Sequence, residues 1–203
     1  MELRDKIKTD VIYYFCQNFE SSFYKVKSKT DHRVYKLKVI SDSAQSPGAV
    51  YKGSKTGTLS DIGGFSLNCH KHIHTGEGGI IVTNNKILAE RSRLIRNHGE
   101  AHITDKNLSN IVGSNFRLTE LQAAIGIQQL KKLNKILKKK INQANRIKKI
   151  FKKYSFFKVG TKFNHITNVH YVVPVIYDYR QTSVSRETLI HALEKEGLKN
   201  CFA

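Results

Sequence analysis

Three short apolar segments, each closed by a loop and the last followed by a helical stretch, constrain the fold of this chain most. The first, within YKLKVI, alternates Leu37 and Val39 with lysines, as a strand with one buried face does, and it runs into a loop marked by Pro47 and Gly48. The second is DIGGFSL, and the third is GGIIVTNN, which ends in an Asn-Asn turn. A helix-like stretch, KILAERSRLIRNHG, follows with Gly99 as its stop signal. This order of strands, loops and helix predicts an α/β fold.

A long helix is predicted next, from RLTELQAA onwards, where Thr119 and Gln122 match a capping box. One stripe of this helix is mostly apolar and consists of Leu130, Leu133, Leu137, Ile141, Ala144, Lys148 and Phe151. The other faces carry lysines at positions 131, 132, 135, 138, 139 and 140. The tail then predicts an apolar strand, a polar turn and a helix from about Ser185 to Gly197, which reads as the start of a second subdomain.

The composition restricts the compartment and the partners. Lys and Arg total 35 against 16 Asp and Glu, and a formal net charge of +19 favours nucleic acid, nucleotides, phosphates or a membrane surface as partners. The lysine-rich helix is interpreted as a solvated surface rather than a nucleic-acid site, because no aromatic residues are interleaved with its lysines. Cys16, Cys69 and Cys201 form no CxxC pair, which argues against a disulfide framework and a zinc ribbon. Without a signal peptide pattern or a membrane-spanning apolar run, we expect a cytoplasmic protein.

The stretch CHKHIHTGEGG leaves two chemistries open. On an extended segment, His70, His72 and His74 would share one face and could bind zinc or copper, although a lysine among the ligands would add positive charge beside the metal. The alternative is Lys71, whose amine can bond to a carbonyl carbon. Pyridoxal phosphate chemistry needs such a lysine together with a carboxylate that keeps the pyridine nitrogen protonated, and Asp42 at the end of the first strand is a candidate for that carboxylate. We therefore favour the lysine chemistry and expect no metal.

These motifs, taken in order, resemble the DegT/StrS family of pyridoxal-phosphate-dependent sugar-nucleotide aminotransferases. The matching text is SDSAQSPGAVYKGSKTGTLSDIGGFSLNCHKHIHTGEGGIIVTNN, RLIRNHGE and VGSNFRLTELQAAIGIQQLKKL, within residues 36–133, with weaker similarity to residue 197. The resemblance implies an α/β fold, the aspartate-aminotransferase-like fold type I large domain. That domain would be incomplete and would occupy residues 36–155, with the beginning of a smaller C-terminal α/β subdomain at 156–203. Residues 1–35 are unlike the family and stay unassigned.

The resemblance also implies roles for particular residues. Lys71, six positions before the glutamate of GEGG, matches the catalytic lysine that carries the cofactor and shuttles a proton. Asp42 matches the aspartate that pairs with the pyridine nitrogen, and Gln45 matches a glutamine near the ring hydroxyl. Ser66 matches a serine that binds the cofactor phosphate. Asn115 matches an asparagine that reaches the phosphate from the neighbouring subunit, which implies a homodimer with shared sites.

The function implied by the resemblance is transfer of an amino group, typically from glutamate, to a keto-sugar linked to a nucleotide. Family members have a longer N-terminal region with a glycine-threonine segment for the phosphate, and residues 1–35 do not resemble it. The chain therefore reads as the middle half of such an enzyme: a fragment, a non-catalytic remnant, or one piece of a split aminotransferase. A basic nucleic-acid-binding protein is the lesser alternative.

Overall fold

The computed structural model describes residues 11–15, 38–100, 111–160 and 163–198. Cys16, Cys201 and Leu37 lie outside these residues. The chain divides into two compact units, the first consisting of Met1–Ile141 with Lys162–Tyr171 and the second of Asn142–Thr161 with Val172–Ala203. The domain bounds expected from the sequence, 36–155 and 156–203, stay a prediction.

Within the described residues, the strands are β1 (Val11–Phe15), β2 (Lys38–Asp42), β3 (Val50–Tyr51), β4 (Ser54–Lys55), β5 (Ile62–Ser66), β6 (Gly79–Val82), β7 (Phe157–Val159), β8 (Ile166–Thr167) and β9 (Val175–Tyr177). The helices are α1 (Lys86–Arg96), α2 (Glu120–Phe151) and α3 (Arg186–Lys195), with a 3-10 helix at Tyr179–Gln181. Across this part of the chain, each helix is too short or too polar to cross a membrane.

The first unit contains a mixed sheet of four strands in the order β1-β2-β5-β6. Strands β1, β2 and β5 are parallel, and β6 returns antiparallel to β5. The three segments predicted from the sequence form β2, β5 and β6, so the α/β expectation is confirmed for this region. Strand β1 lies within residues 1–35, to which the sequence assigned no element, and it pairs with the whole length of β2.

A second small sheet in the same unit, in the order β4-β3-β8, was not predicted. Strands β3 and β4 form a hairpin whose two turn residues, Lys52 and Gly53, both have positive φ, 46° and 80°. A two-residue hairpin turn of type I′ needs this backbone conformation, and glycine at the second position adopts it without strain. Strand β8 then pairs with β3 and brings the chain segment that precedes Tyr171 back to the first unit.

Side-chain caps fix the starts of helices α1 and α2. The Asn85 side chain accepts a hydrogen bond from the Leu88 N–H at the start of α1, and the N–H of Gly99, with a φ of 77°, donates to the Leu94 carbonyl beyond its end. The capping box of α2 is confirmed: Gln122 N–H donates to the Thr119 hydroxyl at 3.2 Å, and Thr119 N–H donates to the Gln122 side-chain oxygen at 3.1 Å.

The apolar stripe of α2 is buried or half-buried over most of its length. Leu137 packs with Ala49 and the fully buried Val169 in the core of the first unit, and Leu133 packs against this cluster. In the part of α2 that belongs to the second unit, Ala144 is buried too. Leu130 is 59% exposed, so the buried stripe begins one turn later than the sequence predicted.

The second unit contains the two-stranded antiparallel sheet β7-β9 and helix α3. An aromatic cluster joins its elements, since the Phe157 ring lies 4.6 Å from Phe151 and 5.4 Å from Tyr177 between ring centroids. Ser185 caps α3 by accepting from the Thr188 N–H, and Gly197 follows the helix with a φ of 90°. The strand, turn and helix predicted for the tail are thereby confirmed.

Candidate active site

Two parallel strands end at the same edge of the main sheet, and each ends in a predicted site residue. Asp42 is the last residue of β2 and Ser66 is the last residue of β5. Asp42 is in register with Gly64 of β5, and side chains in register on neighbouring parallel strands point to the same face. Ser66, two residues after Gly64, points to that face too. The sheet therefore brings Asp42 and Ser66 to one face and one edge.

That face has free space at its centre. A Cβ at Gly64 would meet no heavy atom within 4 Å, and Ile81 of β6, opposite Gly64, is 60% exposed. The other face is closed, because a Cβ at Gly63 would lie 2.2 Å from the carbonyl oxygen of Gly57. Among the described residues, the open space at this point of β5 therefore lies on the side of Asp42 and Ser66.

The Asp42 carboxylate is partly satisfied by its own turn. One oxygen, Oδ1, accepts a hydrogen bond from the Ala44 N–H at 3.0 Å, and no described residue donates to Oδ2. The half-buried Gln45 follows in the same turn, and Ser43 N–H donates to the Gly64 carbonyl at 2.8 Å. This bond ties the turn that carries Asp42 and Gln45 to β5.

A closed loop between β5 and β6 carries Lys71. Leu67 N–H donates to the Gly78 carbonyl at 2.8 Å, and the Asn68 side-chain amide donates to the Glu77 carboxylate at 2.7 Å. These bonds join the two ends of the loop, and Glu77 thereby has a structural role in it. Inside the loop the Lys71 N–H donates to the Asn68 carbonyl at 2.9 Å, so the segment around Lys71 is turned rather than extended.

The Lys71 amine lies against an aromatic ring. Its Nζ is 4.7 Å from the centroid of the Tyr171 ring, a cation–π distance. No described carboxylate lies within ion-pairing distance of this amine, although other lysines have such partners, such as Lys38 with Asp61 at 3.4 Å. The lysine is half-buried. Its amine is thus positioned by the ring and is not paired with a carboxylate of the described part of the chain.

His70, His72 and His74 differ in environment, and His74 is half-buried. His70 is exposed, whereas His72 is buried, 4% exposed, and its Nε2 lies 3.0 Å from the Val169 carbonyl oxygen. Burial lowers the pKa of His72, and the charges of Lys140 and Lys71 lower it further. The hydrogen bond to Val169 raises this pKa, but by less than burial lowers it. Since a carbonyl can only accept, Nε2 carries the proton of the neutral ring, and Nδ1 has no described hydrogen-bond partner. The one-face arrangement supposed for a metal site needs an extended segment, which this loop is not.

Asn115 lies in a different part of the first unit. It forms an isolated antiparallel bridge with Asn97, just beyond α1, and its side-chain oxygen lies 3.4 Å from the Arg117 N–H. Arg117 also donates to the Asn97 side chain at 2.8 Å. Asn115 is exposed, which leaves its side chain accessible to another molecule. Its role in the site of a neighbouring subunit stays a prediction.

Sequence reasoning missed Tyr171 and the anchoring role of His72. Both depend on a contact between residues about a hundred positions apart in the chain, and His72 and Val169 are separated by 97. The sequence HYVV reads only as the beginning of a strand, so no local signal could have identified Tyr171.

The residues present fit pyridoxal phosphate. The Asp42 carboxylate has one oxygen to which no described residue donates, and this oxygen suits a pyridine N–H. The Lys71 amine, which forms no salt bridge with a described carboxylate, suits an aldehyde, and the hydroxyl at the end of β5 suits a phosphate. The open space at Gly64 lies on the same face as the carboxylate and the hydroxyl. The individual roles of Asp42, Gln45, Ser66, Lys71 and Asn115 stay predictions.

Comparisons with known proteins agree with the sequence motifs. A sequence model of the DegT/DnrJ/EryC1/StrS aminotransferase family matches residues 28–201. The UDP-4-amino-4,6-dideoxy-N-acetyl-beta-L-altrosamine transaminase of Campylobacter jejuni serotype O:23/36 is 32% identical over 163 residues, which cover 78% of this chain and 43% of that protein. The GDP-perosamine synthase of Caulobacter vibrioides is 44% identical over 108 residues, 52% of this chain and 28% of that protein.

Among solved structures, Helicobacter pylori PseC, an aminotransferase involved in the biosynthesis of pseudoaminic acid, has a TM-score of 0.78 and 27% identity. The match covers 96% of this chain and 53% of that one. Both of these matches, to the Campylobacter transaminase and to PseC, cover most of this chain. The chain spans about half the length of each of these two relatives. The likeness confirms the expected fold type I architecture, of which this chain spans a part. The chain belongs to the DegT/DnrJ/EryC1/StrS aminotransferase family.

Proposed function

We propose that this chain forms part of a pyridoxal-phosphate-dependent aminotransferase that transfers an amino group from glutamate to a keto-sugar linked to a nucleotide. The observation that carries the proposal is Lys71, whose amine is held against the Tyr171 ring in a closed loop and forms no salt bridge with a described carboxylate. Asp42 and Ser66 at neighbouring strand ends support it, because they supply the carboxylate and hydroxyl that the cofactor needs.

Each residue has a distinct task in this proposal. Pyridoxal phosphate supplies an electron sink that weakens a C–H bond of the amino donor. Lys71 would hold the cofactor through its amine, which would bond to the aldehyde carbon with loss of water, and as a free amine it would take up and give back the proton of the donor carbon. The Asp42 carboxylate keeps the proton on the pyridine nitrogen. The Ser66 hydroxyl binds the phosphate, and Gln45 packs near the ring hydroxyl.

The family relationship supports the proposed substrate class and assembly. The two relatives named above carry the names of a UDP-linked and a GDP-linked amino sugar, and a nucleoside diphosphate is common to both names. The net charge of +19 is compatible with such an acidic substrate. We propose that Asn115 reaches the phosphate of a neighbouring subunit in a homodimer, and that the enzyme works in the cytoplasm.

The test is to trap the cofactor on the lysine. The protein is mixed with pyridoxal phosphate, treated with borohydride and digested, and the peptides are identified by mass. We expect a yellow absorbance band before reduction and a reduced adduct on Lys71 after it, both absent from Lys71→Ala. The matched control is Lys52→Ala, which removes an exposed lysine that also lies over a tyrosine ring and leaves the adduct unchanged.

A folded wild-type protein without an adduct on Lys71 would contradict the proposal. The motifs would then be inherited without activity in this chain, as in a non-catalytic remnant. If the adduct forms, glutamate added to a separate, unreduced sample is expected to release 2-oxoglutarate in an amount equal to the bound cofactor, which tests the donor separately from the lysine.

A further inference from the structure

The Tyr171 ring lies beside the Lys71 amine, and the proposed function gives the ring itself no task. The ring centroid lies 4.7 Å from Nζ, within the range in which the negative face of a ring attracts an ammonium group. Tyr171 is itself half-buried. A ring at this distance attracts the charged amine but accepts no proton from it and forms no ion pair with it.

The backbone that leads into Tyr171 is fixed. Val169 is fully buried, and its carbonyl oxygen lies 3.0 Å from Nε2 of His72, the residue next to Lys71. The chain then turns at His170, which has a left-handed φ of 50° and whose N–H donates to the Asn168 side chain at 2.8 Å. A non-glycine residue in this conformation is strained and persists because its surroundings hold it.

The ring and the lysine are therefore held by one connected structure. His72 reaches the Val169 carbonyl and also lies 6.0 Å from the Tyr171 ring between centroids. His72 thus joins the two segments, because it follows Lys71 in the sequence and lies against the Tyr171 ring. All of these residues belong to the first unit.

We propose that Tyr171 is a positioning residue for Lys71. The amine must leave the cofactor carbon when the donor amine takes its place, and it must stay close enough to carry a proton and to bond again. A carboxylate would hold the free ammonium group in an ion pair, whereas the ring holds it by a weaker attraction from which it is easily released. The inference rests on the proposed function of Lys71 and adds the group that holds its amine.

The experiment separates the charge on the ring face from the shape of the ring. Tyr171 is replaced by Phe, by 3,4,5-trifluorophenylalanine and by Leu in the full chain. Trifluorophenylalanine keeps nearly the size of Phe but weakens the negative charge on the ring face, so a purely structural role would not distinguish the two. The unfolding temperature of each variant reports whether the fold is kept.

Two readouts are compared by peptide mass. The first is the yield of the borohydride-reduced adduct on Lys71. In this adduct the amine nitrogen has bonded to the aldehyde carbon with loss of water, and borohydride has then added hydride to that carbon. The second uses no cofactor: it is the rate at which acetic anhydride acetylates Lys71, relative to exposed Lys38 in the same sample. Borohydride trapping tests the cofactor bond, and acetylation tests the position of the free amine.

We expect Phe to resemble the wild type in both readouts. Trifluorophenylalanine is expected to lower the adduct yield at subsaturating cofactor by about two- to fivefold and to raise acetylation of Lys71 by a similar factor, because the amine leaves the ring more often. Leu is expected to have the larger effect in the same directions. Equal values for Phe and trifluorophenylalanine in both readouts would overturn the inference.

The two possible failures are distinguishable. If the wild type forms no adduct on Lys71, the proposed function fails. If the wild type forms it and the ring series changes neither readout, the proposed function stands and the positioning role of Tyr171 is rejected. Should Leu unfold the protein, the comparison of Phe with trifluorophenylalanine still decides, because the two rings fill the site similarly.

Discussion

At the residue scale, the neighbours Lys71 and His72 have opposite environments. The Lys71 side chain is half-buried with its amine over a ring, whereas the His72 ring is almost wholly buried with Nε2 on a main-chain carbonyl. The sequence identified Lys71 because its spacing to GEGG is a local pattern. It gave no indication that His72 anchors the loop, since Val169 lies 97 residues further on. Local spacing thus predicts Lys71 as the reactive residue, which stays a prediction, and gives no sign of the residues that hold its loop.

The buried His72 gives the fold a dependence on pH. Its pKa is lowered from the usual 6.5, first by burial, so below about pH 6.5 the unfolded chain binds a proton that the folded chain excludes. The free energy of unfolding is therefore expected to fall as the pH drops below this value, by up to about 1.4 kcal/mol per pH unit, until the folded-state pKa is reached. His72→Gln has no titrating ring and can still donate to Val169, so this part of the pH dependence is expected to disappear.

The measurement is urea denaturation of the wild type and His72→Gln at several pH values between about 7.5 and 5. His70→Gln is the matched control, because His70 is exposed in the same loop and its loss is expected to leave the wild-type pH dependence intact. The same dependence in His72→Gln as in the wild type would show that His72 is not the group responsible.

At the element scale, strand β5 separates a packed face from an open one. Gly63 lies against the Gly57 backbone, and Gly64 faces free space beside Asp42. Longer elements such as β2, β5, β6 and the helices were predictable. Their signals, which are helix caps, turn residues and alternating apolar and polar residues, depend only on residues close together in the sequence. Strands β3, β4 and β8 have two residues each, too few for any periodicity, so only long-range pairing forms them. The sequence consequently predicted the edge that carries the site but not the small sheet that returns Tyr171 to it.

The two adjacent glycines of β5 give a paired prediction. Gly63→Ala puts a methyl group 2.2 Å from a backbone oxygen and is expected to destabilise the fold by about 1–3 kcal/mol, because the backbone must shift. Gly64→Ala meets no atom, and neither glycine has a left-handed φ, so this substitution is expected to be neutral or stabilising by about 0.5 kcal/mol. Its methyl group would nevertheless enter the face shared by Asp42 and Ser66.

Urea denaturation and borohydride trapping together check this pair. Gly64→Ala is expected to keep the wild-type stability while lowering the adduct on Lys71 at limiting cofactor, whereas Gly63→Ala loses stability first. A Gly64→Ala protein that binds the cofactor as the wild type does would place the ring elsewhere than the open face of β5. If Gly63→Ala were as stable as Gly64→Ala, the close contact with Gly57 would be wrong.

At the scale of the whole molecule, positive charge is the dominant property. The net charge of +19 is spread over the first unit, the long helix and the second unit, and the lysines of α2 mostly lie on its exposed faces. A dedicated nucleic-acid site would concentrate affinity in that helix. A general excess of charge would instead attract any polyanion weakly, with an affinity that falls steeply with salt.

Equal removal of charge at two places distinguishes these alternatives. Both variants replace three exposed lysines by glutamine; one changes Lys131, Lys132 and Lys135 on α2, and the other changes Lys52, Lys55 and Lys158. Because we interpret the α2 lysines as a solvated surface, we expect the two variants to weaken DNA binding equally at low salt. Each should reduce the slope of log affinity against log salt by at most about 2.7. Adduct formation on Lys71 is expected to be unchanged in both. The opposite result has three parts: only the α2 variant loses DNA affinity, the wild type still binds DNA at physiological salt, and the wild type forms no adduct on Lys71. Together they would favour a nucleic-acid-binding protein over an aminotransferase.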